Sequence, residues 1–179
     1  MQLREVGHLA SWSVTSAKPG NGIELLRDGR SDTFWQSDGL QPHFINMQFA
    51  QRMQLMELHL HLDYKLDESY TPGKLSVRAG CSIHDVREVR VVELLEPSGW
   101  VVVPLSAALP ASGADADPLA GAPSELQPLQ VFCLQLAILS NHQNGRDSHV
   151  REVKVYALQR ESVELPARSE QVTLYSTLR

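Results

Sequence analysis

A chain of 179 residues, 42% hydrophobic and 21% charged, has the composition of a globular protein and the length of one domain with tails. Once compact, a chain of this size buries about 70% of the surface it exposes unfolded, so its stability requires neither metal nor disulfide. Twenty-one acidic and 16 basic side chains leave a formal net charge of −5, which argues against nucleic-acid binding by bulk phosphate neutralisation.

No apolar run approaches the ~18 residues of a membrane-spanning helix, and the first residues lack the apolar core of a signal peptide. Cys81 and Cys133 stand far apart, outside any metal-ligand or redox spacing. Both are expected to be buried apolar thiols of a protein of the nucleus and cytoplasm.

The first element in chain order is a short helix over 22–27, with Asn21 as its cap and Asp28-Gly29 as its stop. Residues 28–39 place two Asp-Gly turns around Phe34-Trp35, and this segment reads as scaffold, with Trp35 plugging one end of the core. Strands are expected over 44–49, 56–62, 74–79, 86–95, 100–105, 131–139 and 150–158. The clearest is M-E-L-H-L-H-L at 56–62, which puts Met56, Leu58, Leu60 and Leu62 on a dry face and Glu57, His59 and His61 on a wet one. Ser37-Asp38-Gly39, Thr71-Pro72-Gly73 and Pro97-Ser98-Gly99 supply the turns. Seven or eight short strands without βαβ alternation predict an all-β sandwich.

Two segments interrupt this pattern. Residues 106–128 are rich in Ala, Pro, Gly and Ser and carry few large apolar groups, so they read as a flexible insertion between strands. Residues 161–179 have no periodicity and end in Leu178-Arg179; they read as a tail following a domain over 1–160.

Catalytic chemistry finds little support. His59 and His61 share a strand face at a spacing that suits a metal, yet alternation alone accounts for them as polar face and no third ligand is near. No nucleophile elbow, zinc-protease motif or phosphate loop occurs, and Asp67-Glu68 lie in a polar loop with nothing to desolvate either carboxylate. Trp35 and Trp100 read as structural, so no exposed aromatic platform for a sugar stands out.

Recognition is better supplied. The segment 63–72 carries Tyr64 and Tyr70 among small polar groups, which fits either a contact loop or a long hairpin connection whose tyrosines cap the core. Residues 140–149 form ten consecutive polar or Gly positions, longer than the two to five of a simple hairpin, with Asn144-Gly145 able to take positive φ and aim neighbouring side chains outward.

Taken together, Asp28-Gly29, Trp35-Gln-Ser-Asp-Gly39, Gln41-Pro-His43, Asp63-Tyr-Lys65, Asp67-Glu-Ser-Tyr-Thr-Pro72, Glu96-Pro-Ser-Gly-Trp100 and Asn141-His-Gln-Asn-Gly-Arg-Asp147 resemble the Doc-homology domain over about residues 6–156. The resemblance implies a galactose-binding-like (discoidin-type) jelly-roll β-sandwich that is not an enzyme and needs no cofactor or metal. In that family the domain serves the anaphase-promoting complex, a ubiquitin ligase, as co-receptor for the destruction-box degron beside a propeller-type activator, and it raises processive ubiquitin transfer. The degron-facing positions would correspond to Ser69, Tyr70, Asn144, Gly145, Arg146, Asp147 and His149. The family tail docks on a TPR-repeat scaffold subunit through a terminal Ile-Arg, matched here by Leu178-Arg179 with leucine for isoleucine. The insertion at 106–128 departs from the family. Two other readings stand beside this one: a carbohydrate-binding module on the same fold, and a Doc-homology domain of a cullin- or HECT-type ligase.

Overall fold

The computed structural model describes residues 2–108 and 126–159. The core of the insertion (109–125) and the expected tail, with Leu178 and Arg179, lie outside the described residues. The described residues form twelve strands: β1 (Leu3–Glu5), β2 (Ala10–Val14), β3 (Trp35–Gln36), β4 (His43–Asp63), β5 (Pro72–Gly80), β6 (Arg87–Glu93), β7 (Ser98–Pro104), β8 (Ala107–Ala108), β9 (Leu126–Gln127), β10 (Leu129–Asn141), β11 (His149–Val150) and β12 (Glu152–Leu158). The jelly roll expected from the sequence is what forms.

Strand β4 organises it. The residues expected to make two strands, 44–49 and 56–62, run as one element of 21 residues that folds back through the exposed corner Ala50-Gln51-Arg52. Its first half pairs with β2 and β10, and β5 and β6 extend that layer; its second half pairs with β12 and β7, with β1 outside β12. A strand that switches sheets through a bend is how a sandwich corner is made. Where Glu57 faces Tyr156 and Leu55 faces Ala157, Met56 is the extra residue of a bulge, and the inward phase passes there from odd to even positions. Beyond it the alternation holds as expected: Leu58, Leu60 and Leu62 are buried while Glu57, His59 and His61 stay half covered.

Side chains of both layers form one core, its largest members including Trp35, Leu26, Ile45, Leu60, Leu75 and Leu136. Burying each contributes roughly 1.5–3 kcal/mol. Trp35 is wholly buried and donates its Nε1–H to the Ser16 carbonyl at 3.0 Å, the structural role expected of it.

Several local expectations are corrected. The helix over 22–27 is a single 3-10 turn, Ile23–Leu26, and Asn21 does not cap it; its Nδ2 instead donates to the Phe34 carbonyl at 3.0 Å and ties down the loop that carries Trp35. Thr71-Pro72-Gly73 is not a turn, because Pro72 opens β5, a first position that needs no N–H. At 97–99 the positive φ values fall on Glu96 and Gly99, and β7 is already running from Ser98. The strand expected over 150–158 breaks at Arg151. Strands β1 and β2 carried too little apolar signal to be found. Cys81 is exposed, and only Cys133 is buried. Trp100, expected to be structural and no exposed aromatic, is 44% exposed on the outer face, beside His61 and under the Lys154 ammonium. The ends of the insertion are held, since β8 and β9 pair antiparallel at its base.

Candidate functional site

Because β4 folds back, its two ends reach the same end of the sandwich, each beside one of the two polar loops. At one end His43 is buried and its Nε2 lies 2.8 Å from the Arg146 carbonyl. At the other, Asp63 accepts hydrogen bonds from the backbone N–H of Lys65 (3.0 Å) and Leu66 (3.4 Å), capping α1 (Tyr64–Asp67), which runs into the 3-10 turn Glu68–Tyr70. The segments expected as separate recognition loops are thereby set side by side. The Thr71 carbonyl accepts from the His142 N–H at 2.9 Å, the Tyr64 hydroxyl lies 3.0 Å from Gln143 Nε2, and the His142 ring meets Tyr64 edge-on.

The second loop is fixed from inside through its carbonyls. Those of Gly145, Arg146 and Asp147 contact, in turn, Gln41 Nε2 (3.0 Å), His43 Nε2 (2.8 Å) and Asn141 Nδ2 (2.6 Å). Ser148 donates its N–H to Ser37 Oγ while the Ser37 N–H donates to the Ser148 carbonyl. With its acceptors engaged inward, the loop leaves Asn144 and Arg146 exposed. Positive φ falls on Gln143 (52°) and Asn144 (57°), one position earlier than the sequence implied; Gly145 has an ordinary φ. Glycine is needed at 145 for space, since a Cβ there would overlap the Ser69 carbonyl oxygen.

Beneath the rim lies a buried ionic cluster that the sequence reading missed. Asp67 is 5% exposed and accepts from Arg151 Nε (3.0 Å) and Nη2 (2.7 Å), with His149 Nδ1 at 3.1 Å. Arg151 also donates to the Ser31 carbonyl at 2.8 Å and lies over the Phe34 ring. Burial alone would raise the Asp67 carboxyl; the hydrogen bonds from His149 and Arg151, with the guanidinium charge, outweigh it and hold the carboxyl below its ordinary value of 3.8. The expectation that nothing desolvates this carboxylate is therefore corrected. Asp67, like Gln41 and His43, stands in one of the motifs quoted above, but its polar neighbours in sequence give no sign of its burial.

The expected site residues thus divide. Ser69, Tyr70, Asn144 and Arg146 stand together on the accessible rim, and none of their side chains has a hydrogen-bond partner among the described residues. Asp147 is partly covered and lies 3.9 Å from Lys18, whose ammonium is held up by its closer bond to Asp38 at 3.1 Å. His149 is buried, its ring stacked between Phe34 (4.0 Å) and Tyr70 (4.3 Å), and it braces Tyr70 from below. Among the described residues no cluster of three or more His, Cys, Asp or Glu side chains is placed to hold a metal; His59 bonds Glu57 at 2.8 Å instead.

The chain matches the family described as “Anaphase-promoting complex, subunit 10 (APC10)” over residues 1–178. It belongs to that family. Anaphase-promoting complex subunit 10 of Homo sapiens is 45% identical over 160 residues, covering 89% of this chain and 78% of the human one. The Dictyostelium discoideum subunit 10 is 46% identical over 180 residues (98% and 86%). Anaphase-promoting complex subunit DOC1 of Saccharomyces cerevisiae is 34% identical over 151 residues (84% and 55%). Solved structures of the same shape include the family 32 carbohydrate-binding module of Clostridium perfringens NanJ in complex with galactose, with a TM-score of 0.64 at 11% identity over 87% of this chain and 99% of that one. At that identity the likeness shows the fold, which this subunit 10 family member shares with discoidin-like modules.

Proposed function

We propose that this subunit is a receptor without chemistry of its own, holding the destruction-box degron of substrates together with a propeller-type activator and so lengthening their stay on the ubiquitin ligase. Two surfaces sharing one peptide slow its escape without a new catalytic group. The observation that carries this reading is the rim itself: Ser69, Tyr70, Asn144 and Arg146 sit on two interlocked loops with unengaged side chains, while the backbone beneath them is pinned. A rim prepared in this way offers hydrogen bonds and an aromatic face to an extended peptide at little ordering cost. Gly145 lets the loops close, Asp147 flanks the rim beside Lys18, and His149 supports Tyr70. Docking of Leu178-Arg179 on a TPR-repeat scaffold and residence in nucleus and cytoplasm belong to the same proposal.

The test is the full chain assembled in the complex, carrying Ser69→Ala and Asn144→Ala together. Capture of a destruction-box substrate should weaken several-fold with Tm unchanged. A parallel loss of Tm and capture assigns these residues to the scaffold, and unaltered capture overturns the proposal.

A further inference from the structure

The end of the sandwich opposite the rim is also built to hold something. At the corner of β4 a cavity of about 260 Å³ opens between Arg4 of β1 and Arg52, and a second of about 270 Å³ adjoins it over Leu9, Phe49 and Met53. The two share Leu9, Gln51 and Met53, so they make one groove, basic at one side and apolar at the other. Among the described residues no carboxylate lines either cavity. Neither arginine makes an ion pair among the described residues, and Glu5, next to Arg4 in sequence, is occupied by the Gly7 N–H at 2.6 Å. In a chain of net charge −5, a groove lined among the described residues by two arginines and no carboxylate is locally inverted.

The backbone beside it is open as well. The Val6 N–H donates to the Val155 carbonyl and the Gln159 N–H to the Gln2 carbonyl, so the even-numbered positions of β1 face β12. By strand alternation Leu3 and Glu5 turn their backbone groups to the outer edge, where no strand among the described residues pairs with them. Guanidinium forks for carboxylates, an apolar floor and a free strand edge are the requirements of one ligand type.

We propose that this groove docks an extended segment of another polypeptide in which acidic residues flank apolar ones. Two arginines over an apolar floor suit carboxylates on a peptide, whereas a nucleic-acid backbone asks for a longer basic track. Gln51 and Arg52 sit at the fold of β4 and both ends of that strand reach the degron rim, so rim and groove lie at opposite ends and can be filled together. The proposal does not depend on what the rim binds.

The experiment titrates the full-length 15N-labelled chain with two end-blocked heptapeptides, one with leucines alternating between glutamates and one with lysines in place of the glutamates. The acidic peptide should shift amides of residues 3–9 and 51–54, and its binding should fall as salt is added. Arg4→Glu with Arg52→Glu should weaken it about tenfold with Tm unchanged, while Arg87→Glu with Arg90→Glu, the same charge change on β6, should alter it less than twofold. Equal loss in both double variants, equal binding of the lysine peptide, or shifts confined to residues 142–149 would each overturn the proposal. So would movement of the amides at 3–9 in a Glu161→Lys, Glu164→Lys chain without peptide, because the groove would then belong to this chain's own acidic segment.

Discussion

Single residues at the rim are coupled to one another through space and charge. Gly145→Ala forces a Cβ onto the Ser69 carbonyl oxygen, and the loops must part to admit it. We expect a stability loss of about 1–3 kcal/mol by urea denaturation, typical of overpacking, with a larger relative loss of substrate capture. Asp67→Asn leaves the Arg151 guanidinium buried without its carboxylate and weakens the support under His149 and Tyr70. Breaking such a pair costs roughly 3–5 kcal/mol. Its pH dependence has a definite sign. The folded carboxyl is held below its ordinary 3.8, so its stabilisation is complete above that value and fades as the pH falls through the lower folded value. The stability gap between the parent chain and Asp67→Asn, followed by thermal melts, should be flat near neutrality and narrow below about pH 4.

At the scale of elements, the insertion between β7 and β10 is separable. β8 and β9 pair antiparallel at its base, which brings Ala108 and Leu126 opposite each other and leaves a gap that a hairpin loop of two to five residues spans. Replacing residues 109–125 by such a linker should shift Tm by no more than about 4 °C, near 1 kcal/mol for a domain of this size; collapse of the melting transition would show that the segment holds the fold. The elements also mark how far the sequence could be read. Period-two alternation at 56–62 was strong enough to fix face and phase, because which side chains share a strand face follows from the local spacing alone. The continuity of β4 was hidden, since Ala50-Gln51-Arg52 looks like any polar break and only the partner strands reveal that pairing resumes beyond it. The rim was legible because unengaged polar residues accumulate in loops. The cluster beneath it was not: Asp67 and Arg151 are 84 positions apart, and nothing local in a polar loop or at a strand break marks a carboxylate that will be buried by a distant guanidinium.

For the whole molecule, the proposed tail and rim are different functions of one body. Removing Leu178 and Arg179 should reduce co-purification with a TPR scaffold subunit and leave Tm and the amide spectrum of the folded domain in place. Unchanged co-purification counts against that docking. The folded strand β4 has a further bearing on how the rim behaves. Since His43 and Asp63 terminate one uninterrupted run of chain and each secures a different loop, the two loops cannot swing apart like jaws without unzipping the central ladder. A peptide held at the proposed rim would need no closing step, and the hydrogen-bonded amides of His142 and Ser148 should exchange with solvent far more slowly than that of Arg146, which has no partner among the described residues.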